Sequence, residues 1–339
     1  MIIKKYNIMS GVQLEAIDFD YYNFFEKFNH IKNNNFLNIN FPEKNIANIH
    51  NKKIANLFNC KCIITMTCWL KRIFILNEFL NSFLSNQTML PNMFYIFLSK
   101  SEFPLQENSL PDDLVETIKK YNINLIWLDN NEYCHKRWYV YPKHWNDLVI
   151  SIDEDIIFKN NLIENSLQYV NNTGNIYNLF RNITYRSDFL NSIKNELIPG
   201  GINSIKPDIK NTFLGTCIIP PRTFPIEALT LKNIKLREKF CKKCDESWLN
   251  PFIKFNNIKI GAIDEIKPIN PGKDDIEPLC DEMDKYYFEK KCRTRDIQVY
   301  IVLRLFPELL NCWKKIFPNY NDKLFDNLMI DDIYKMINN

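Results

Sequence analysis

The sequence has little glycine, with 7 residues in a chain of 339, whereas roughly 7% is usual. It contains neither a G-x-G-x-x-G fingerprint nor a G-x-x-x-x-G-K-[ST] loop. Both motifs use glycine so that the backbone can approach a phosphate closely. Their absence argues against a dinucleotide-binding enzyme and against a P-loop nucleotidase.

Three further absences narrow the class of protein. No apolar run approaches the roughly 20 residues of a membrane-spanning helix. The first twenty residues, MIIKKYNIMSGVQLEAIDFD, have an early lysine pair but no apolar stretch of the kind found in signal peptides. We therefore expect a cytoplasmic protein whose ten cysteines are mostly reduced. The net charge of +3 is too small to predict binding to nucleic acid.

Apolar residues are plentiful, at 46% of the chain, so a large core is expected. Short apolar runs with the character of strands alternate with segments of helical spacing. The predicted strands cover residues 63–67, 93–99, 123–129 and 147–158, and the predicted helices cover 73–87 and 111–121. This alternation predicts an α/β domain with a mostly parallel sheet.

Three carboxylates interrupt the fourth predicted strand in DLVISIDEDIIF: Asp153, Glu154 and Asp155. Arg72 follows the first predicted strand. Ligands of open α/β sheets bind beyond the carboxyl ends of the strands, so we expect these charges to meet in one crevice. Strand alternation would place Asp153 and Asp155 on one side and Glu154 on the other. An acidic surface turn is the alternative.

Several short motifs occur in a fixed order between residues 60 and 262. They are TCWLKR, QTMLP, LSKSEFP, a stretch containing Lys136, IDEDI, GTCIIPP and DESW. In this order the chain resembles GT-A fold glycosyltransferases, in particular a bacterial family 2-like group. The chain departs from that pattern at Trp69, Leu70, Thr216, Cys217 and Glu246.

The resemblance implies a Rossmann-like GT-A fold, in which helices flank a mixed, mostly parallel sheet. We predict an N-terminal extension over residues 1–58 and a catalytic domain over 59–265. A helical region over 266–339 would pack on that domain or on a membrane surface. The N- and C-terminal additions are both expected to be helical.

The resemblance also implies a function. The expected enzyme is a metal-dependent, inverting glycosyltransferase that moves a sugar from a nucleotide-diphosphate sugar, with a UDP-sugar favoured, to a hydroxyl of a glycan. That acceptor would be an oligosaccharide or lipid-linked glycan of a bacterial capsule or lipooligosaccharide. The enzyme would act in the cytoplasm, at or near the inner face of the membrane.

Roles for individual residues follow from the matching motifs. Asp153 and Asp155 would hold Mn²⁺ or Mg²⁺, for which carboxylate oxygens are suitable ligands. Asp245 or Glu246 would be the general base, with Asp245 favoured because it is unchanged from the motif. Acceptor contacts would come from Trp248 and Arg181. The donor-binding set would be Thr67, Arg72, Lys136, Asp153, Glu154 and Asp155.

Structural alternatives accompany these roles. Asp245 and Glu246 would be ordinary acids in the first turn of a helix, with Trp248 in the core. Arg72 and Lys136 would be solvated surface cations. No histidine follows the acidic motif, so a further metal ligand would have to be an acid such as Asp264.

Other classes of protein also stay open. A sugar-phosphate nucleotidyltransferase uses paired acids and a metal on an α/β sheet, and a non-catalytic membrane-associated scaffold needs no chemistry at all. The cysteines of CKC (60–62) and CKKC (241–244) form a rival hypothesis, a Cys₄ zinc site. The basic, aromatic stretch 296–318 would either lie on a membrane or pack on the domain.

Overall fold

The computed structural model describes residues 36–55 apart from 48 and 50, 60–173, 176–178, 215–262 apart from 257 and 259, 266–268, 286–287, 292–318, 320 and 328–338. Within these residues the strands are β1 (Lys53–Ile54), β2 (Cys62–Thr67), β3 (Met89–Leu90), β4 (Met93–Ser99), β5 (Asn124–Leu128), β6 (Leu148–Ser151), β7 (Ile156–Phe158), β8 (Ile176–Asn178), β9 (Cys217–Ile219), β10 (Ile260–Ala262), β11 (Ile266–Pro268), β12 (Tyr286–Tyr287) and β13 (Cys292–Arg293).

The helices of the described residues are α1 (Ile73–Asn86), α2 (Asp112–Tyr121), α3 (Tyr141–His144), α4 (Leu162–Thr173), α5 (Leu231–Phe240), α6 (Asp245–Phe255), α7 (Thr294–Leu305), α8 (Pro307–Ile316) and α9 (Ile330–Asn338). Short 3₁₀ segments cover Leu70–Arg72, Gln106–Ser109, Tyr133–Val140 and Ile226–Leu229.

The central sheet has seven strands in the order β10-β8-β9-β6-β2-β4-β5. Strand β2 pairs in parallel with β4 and β6, and β5 is parallel to β4. Strand β9 is antiparallel to both of its neighbours, β6 and β8, while β10 is parallel to β8. The predicted mostly parallel, mixed α/β sheet is therefore confirmed.

Side chains from both faces of the central strands are buried, which explains why these strands are continuous apolar runs. Every residue of β2 and of β4 is buried. Along β2, Ile63 packs into one apolar cluster and Ile64 into the other, because alternate side chains point to opposite faces. Helices cover both faces, as parallel sheets require.

The order of the strands reverses beside β2. After β2 the chain adds β4 and β5 on one side, and then returns to add β6 on the other side. Such a reversal opens a crevice at the carboxyl ends of the two adjacent parallel strands. The acidic turn after β6 and the Arg72 segment after β2 both lie at this edge.

The fourth predicted strand, residues 147–158, is divided in two. Strand β6 ends at Ser151, and the amide of Ile152 still donates to the carbonyl oxygen of Thr65 at 3.1 Å. The chain then turns at residues 154–155, and β7 pairs antiparallel with β11 in a separate small sheet. The three carboxylates therefore occupy a turn, not a continuous strand.

The C-terminal helices supply core side chains. In α7, Ile297 and Val299–Leu303 are all buried, and in α8 Leu309 and Trp313 are buried. Helix α7 ends at Leu305, just before Pro307. The stretch 296–318 thus packs its apolar side chains into the domain. Within the described residues no helix is both long enough and apolar enough to cross a bilayer.

By contacts between Cα atoms, residues 35–339 group as one compact unit. The predicted boundaries at 58 and 265 stay predictions. Most of the predicted N-terminal extension lies outside the described residues.

Candidate functional site

The acidic turn faces the segment that follows β2. Arg72 Nη1 lies 2.7 Å from Asp155 Oδ2 and 3.3 Å from Glu154 Oε1. The turn thus brings two carboxylates to one guanidinium at the carboxyl ends of β2 and β6. The predicted meeting of Arg72 with the acids is observed.

Asp153 contacts a different cation. Its Oδ1 lies 2.6 Å from Nη1 of Arg137, which comes from the 3₁₀ segment Tyr133–Val140. The same nitrogen donates to the Gly215 carbonyl at 2.8 Å and to Ser151 Oγ at 3.2 Å. Asp153 is therefore held by a buried arginine whose position the backbone and the end of β6 fix.

The predicted alternation, with Asp153 and Asp155 together and Glu154 opposite, is wrong. Strand geometry ends at Ser151, so the rule of alternating sides does not extend into the turn. Instead Glu154 and Asp155 share Arg72, and Asp153 has Arg137. All three acids nevertheless line one cavity, so the alternative of an acidic turn pointing into bulk solvent is not what is observed.

Burial alters the acid strength of this cluster. Desolvation raises the pKa of Glu154 to about 7, with further increases from Asp153 and Asp155 and a decrease from Arg72. Desolvation likewise raises the pKa of Asp153 to about 6, although Arg137 opposes it. The turn therefore concentrates negative charge that a further cation would stabilise.

Two other predicted donor residues line the same cavity. Thr67 ends β2, and its hydroxyl donates to the Phe97 carbonyl at 2.8 Å. Lys136 is 1% exposed, and its Nζ lies 3.2 Å from Glu102 Oε2. Burial lowers the pKa of Lys136, and Glu102 opposes that shift. Lys136 is thus a buried, paired cation, not a solvated one.

The acids of DESW begin helix α6. Asp245 is 3% exposed and accepts a hydrogen bond from Trp138 Nε1 at 2.7 Å. Glu246 is partly exposed, and its Oε2 lies 3.4 Å from Cys244 Sγ. Desolvation, followed by the charge of Asp245, raises the pKa of Glu246. The two neighbours therefore differ in access: Asp245 is enclosed and Glu246 is reachable.

These acids lie near the wall of the cavity. Cys134 lines the cavity. Burial raises the pKa of its thiol, and the charges of Asp245 and Glu246 raise it further. The two acidic groups are also held by neighbouring residues of one segment. Arg137 contacts Asp153, and Trp138, the next residue in the chain, contacts Asp245. The fold thus unites motifs that are about ninety residues apart in the sequence.

The prediction that Trp248 contacts an acceptor is wrong. Trp248 is 0% exposed, and its Nε1 donates to the Ala228 carbonyl at 3.1 Å. Its ring packs against Phe252 and Phe306. It is the fourth residue of α6 and lies on a buried face of the helix. The core alternative describes this residue.

Sequence reasoning missed Arg137. This residue lies 5% exposed, between a carboxylate of the acidic turn and the backbone around it. A signal was present, since an arginine directly follows Lys136 in an apolar, aromatic stretch, HKRWYVY. A charged residue in such a setting needs a buried partner.

Arg181 and Asp264 lie outside the described residues. The rival Cys₄ zinc site is not formed, because the described residues contain no group of three or more His, Cys, Asp or Glu side chains arranged for a metal ion. Cys62, Cys241 and Cys244 are instead buried free thiols.

The turn offers a divalent cation two carboxylates and not a cage of protein ligands, because the described residues contain no group of three or more His, Cys, Asp or Glu side chains that could hold a metal ion. Arg137 contacts Asp153 through Oδ1 and Arg72 contacts Asp155 through Oδ2, so the second oxygen of each carboxylate lies outside these ion pairs. Mg²⁺ is usually held by one or two carboxylates together with substrate phosphates, not by a cage of protein ligands. If a divalent cation binds here, Asp153 and Asp155 are the residues that would hold it, together with a phosphate ligand.

Comparisons with known proteins assign no family to the chain. No protein-family model matches the chain, and no curated protein matches it either.

Proposed function

We propose that the chain is a metal-dependent glycosyltransferase of the GT-A type. It transfers a sugar from a nucleoside-diphosphate sugar, a UDP-sugar being favoured, to a hydroxyl of a glycan, with inversion. The observation that carries this proposal is the cluster at the strand reversal. Three carboxylates, Asp153 to Asp155, meet the cations Arg72 and Arg137 in one cavity at the carboxyl ends of β2 and β6.

The cations of the cavity suit a diphosphate. Arginine binds phosphate oxygens in pairs of hydrogen bonds, and lysine adds a point charge. Arg72 is partly exposed beside the cavity, so it is the cation that can turn from Asp155 to a bound phosphate. Arg137 keeps its backbone contacts and holds Asp153 in place.

Asp153 and Asp155 are the residues proposed to hold the divalent cation. When bound, Mn²⁺ or Mg²⁺ neutralises charge that develops on a departing nucleoside diphosphate. Glu154 stays with Arg72 and keeps that guanidinium directed at the turn. In this proposal the ion pairs Arg72–Glu154 and Arg137–Asp153 therefore preorganise the cavity before any ligand binds.

Glu246 is the better candidate for the general base, in preference to Asp245. A base must reach the acceptor hydroxyl, and Glu246 is partly exposed whereas Asp245 is enclosed by Trp138. Burial also raises the pKa of Glu246 toward neutral pH, and a general base is most effective when its pKa lies near the pH at which it works. In this proposal Asp245 positions the first turn of α6 and raises that pKa.

The acceptor class rests on the resemblance of the motifs. We propose an oligosaccharide or lipid-linked glycan of a bacterial capsule or lipooligosaccharide, modified in the cytoplasm or at the inner face of the membrane. Within the described residues, the buried apolar side chains of α7 and α8 support a packing role for residues 296–318 instead of a membrane-binding one.

A thermal-shift screen tests the donor. UDP, GDP, CDP and ADP are each added with and without Mn²⁺, because a ligand that binds the folded chain raises its melting temperature by mass action. We expect one diphosphate to stand out, and only with the metal. The same increase should disappear in Asp155→Asn and persist in Asp129→Asn, an exposed acid paired with Lys100.

Product analysis separates the classes of enzyme. A glycosyltransferase releases the nucleoside diphosphate from a nucleotide sugar, whereas a nucleotidyltransferase releases pyrophosphate from a nucleoside triphosphate and a sugar phosphate. Release of pyrophosphate would replace the present proposal. The absence of any nucleotide-dependent shift in melting temperature, with or without Mn²⁺, would leave the proposal without a donor site.

A further inference from the structure

A second, larger cavity lies beside the acid-lined one. Its volume is about 370 Å³, which is within the usual size range of small-ligand sites, roughly 300–1,000 Å³. Tyr133 lines both cavities, so they adjoin at that residue. None of the residues to which the proposed function assigns a role in the chemistry lines this second cavity.

The charged side chains of the second cavity balance one another. Two cations, Arg237 and Lys242, face two acids, Glu132 and Glu238. Arg237 Nη2 donates to Glu132 and, at 2.9 Å, to the hydroxyl of Tyr139. A bound anion would be repelled by both Glu132 and Glu238, and a bound cation would be repelled by both Arg237 and Lys242. A polar ligand without net charge avoids either repulsion.

Two residues that line the cavity carry buried polar atoms without partners in the described part of the chain. They are Nε and Nη1 of Arg237 and Nδ1 of His135, and each of these two residues is 1% exposed. Leaving a buried donor or acceptor unpaired costs stability, so such atoms favour a ligand or a water that can satisfy them.

The unpaired atoms include both donors and an acceptor. His135 Nε2 lies 2.7 Å from the Cys241 carbonyl and therefore carries the proton. Burial, followed by the charge of Arg237, lowers the pKa of His135 to about 3, so the ring is neutral and Nδ1 is an acceptor. The Arg237 atoms are donors. A hydroxyl is a group that can serve both kinds of partner, because it donates and accepts.

Tyr133 lines the cavity, and the ammonium groups of Lys242 and Lys243 lie 5.6 and 5.5 Å from the centroid of its ring. Its φ of 50° lies in the left-handed region that non-glycine residues seldom occupy. Backbone strain of this kind is found preferentially at ligand sites. Ser101 and Asn131, whose side chains carry neutral hydrogen-bonding groups, also line the cavity.

We propose that this second cavity binds a neutral ring that bears several hydroxyl groups. Two sources supply that chemistry: the ribose-containing nucleoside of the donor, and a sugar residue of the acceptor. The inference depends on the proposed function only for the choice between these two sources. The binding itself does not require any transfer reaction.

Ligand-observed NMR tests the proposal. Saturation transfer from the protein is measured to uridine, to the methyl glycosides of glucose, galactose and N-acetylglucosamine, and to inorganic phosphate monitored by phosphorus line width. Transfer to uridine assigns the cavity to the nucleoside, and transfer to a glycoside assigns it to a sugar residue. Neither arm needs an active enzyme.

Two variants connect the signal to the cavity. Ser101→Trp places a large side chain at an exposed position of the wall, and Glu238→Lys gives the balanced cavity a net positive charge. Each should weaken binding of the neutral ligand by about tenfold or more, the loss expected for one good polar contact. Glu238→Lys should also improve binding of phosphate.

Matched controls use the same substitutions elsewhere. Leu105→Trp alters a residue that is 70% exposed in the same loop, and Glu116→Lys alters an exposed residue of α2. Both should leave the signals unchanged. Saturation of none of the neutral probes, or saturation that survives both cavity variants, overturns the proposal and leaves a cavity filled by water.

The two proposals fail separately. If UDP with Mn²⁺ binds but uridine and the glycosides do not, the second cavity is not a ligand site and the donor proposal stands. If uridine or a glycoside binds but no nucleoside diphosphate does, the cavity proposal stands and the glycosyltransferase proposal does not.

Discussion

Arg137 and Asp153 form an ion pair, with 2.6 Å between Nη1 and Oδ1, at the carboxyl end of β6. The pair fixes the acidic turn to the 3₁₀ segment Tyr133–Val140. The next residue of that segment, Trp138, holds Asp245 at the start of α6. Through two adjacent side chains, one short segment thus positions both Asp153 of the acidic turn and Asp245 of α6.

Removal of the arginine should be costly. We expect Arg137→Met to lower the free energy of unfolding by about 3–5 kcal/mol, because it leaves the carboxylate of Asp153 without its partner in a desolvated site. The double variant Arg137→Met with Asp153→Asn should recover part of that loss. Urea denaturation measures both. Equal stability of the wild type and Arg137→Met would show that the pair does not fix the turn.

Asp155 should matter for ligand binding more than for folding. Asp155→Asn keeps the shape of the side chain and removes the charge proposed to face the divalent ion. We expect at least a tenfold loss of Mn²⁺-dependent affinity for the nucleoside diphosphate selected by the screen, and little change in melting temperature without ligand. Calorimetric titration measures the affinity. Undiminished binding by this variant would exclude Asp155 as a metal ligand.

Glu246 and Asp245 should have different effects when replaced. Glu246→Gln should lower the rate of transfer by roughly 10²–10⁴, the usual contribution of a general base, while affinity for the nucleoside diphosphate is kept. Asp245→Asn should mainly weaken folding, since Trp138 loses a charged acceptor. Turnover and denaturation are measured for each. The opposite pattern would return the role of base to Asp245.

Trp248 should behave as a core residue. We expect Trp248→Ala to cost about 3–5 kcal/mol of unfolding free energy, because it deletes a fully buried ring and leaves a cavity. Trp69→Ala is the matched control at a partly exposed position, and it should cost less. Chemical denaturation measures the free energy of unfolding of both variants. A small loss for Trp248→Ala would mean that its ring is not packed as described.

Stability should fall as pH rises through the titration of Glu154. Its pKa in the folded chain is about 7, against an ordinary value of 4.5, so between these values the folded state binds more protons than the unfolded state. Stability is then lost as pH increases across that window. The shift corresponds to at most about 3 kcal/mol.

The substitution Glu154→Gln tests this dependence. It removes the titrating group and keeps the size of the side chain, so the decline in unfolding free energy between pH 4.5 and pH 8 should become shallower. The measurement is denaturant unfolding with a chelator present. An identical pH profile in the wild type and the variant would contradict a raised pKa at Glu154.

Much of the sheet could be predicted because its strands are short apolar runs bounded by polar residues. The predicted segments 63–67, 93–99 and 123–129 match β2, β4 and β5 closely. The helix break at Pro307 also follows from local chemistry, since proline lacks an amide hydrogen. The fourth strand was predicted too long, because apolar residues flank the acids on both sides and no local signal marks a turn there.

The sequence predicted which residues form the site, but not which of them pair with one another. Asp153, Glu154, Asp155 and Arg72 stood out as charges at strand ends, and they do line one cavity. Their pairing could not be predicted, because Arg137 comes from a segment without regular periodicity. The second cavity also gave no signal, since its wall combines residues near 101, 131 and 237 that have no shared spacing.

The order of hydrophobic and polar residues, a local property, by itself determined that this chain forms an α/β sheet and that acids follow one of its central strands. Only the tertiary structure decided which cation each acid meets, that Trp248 is buried while Glu246 is reachable, and that two cavities adjoin at Tyr133. These features depend on contacts between segments distant in the sequence, and such contacts arise from packing and desolvation, which no single stretch of residues encodes.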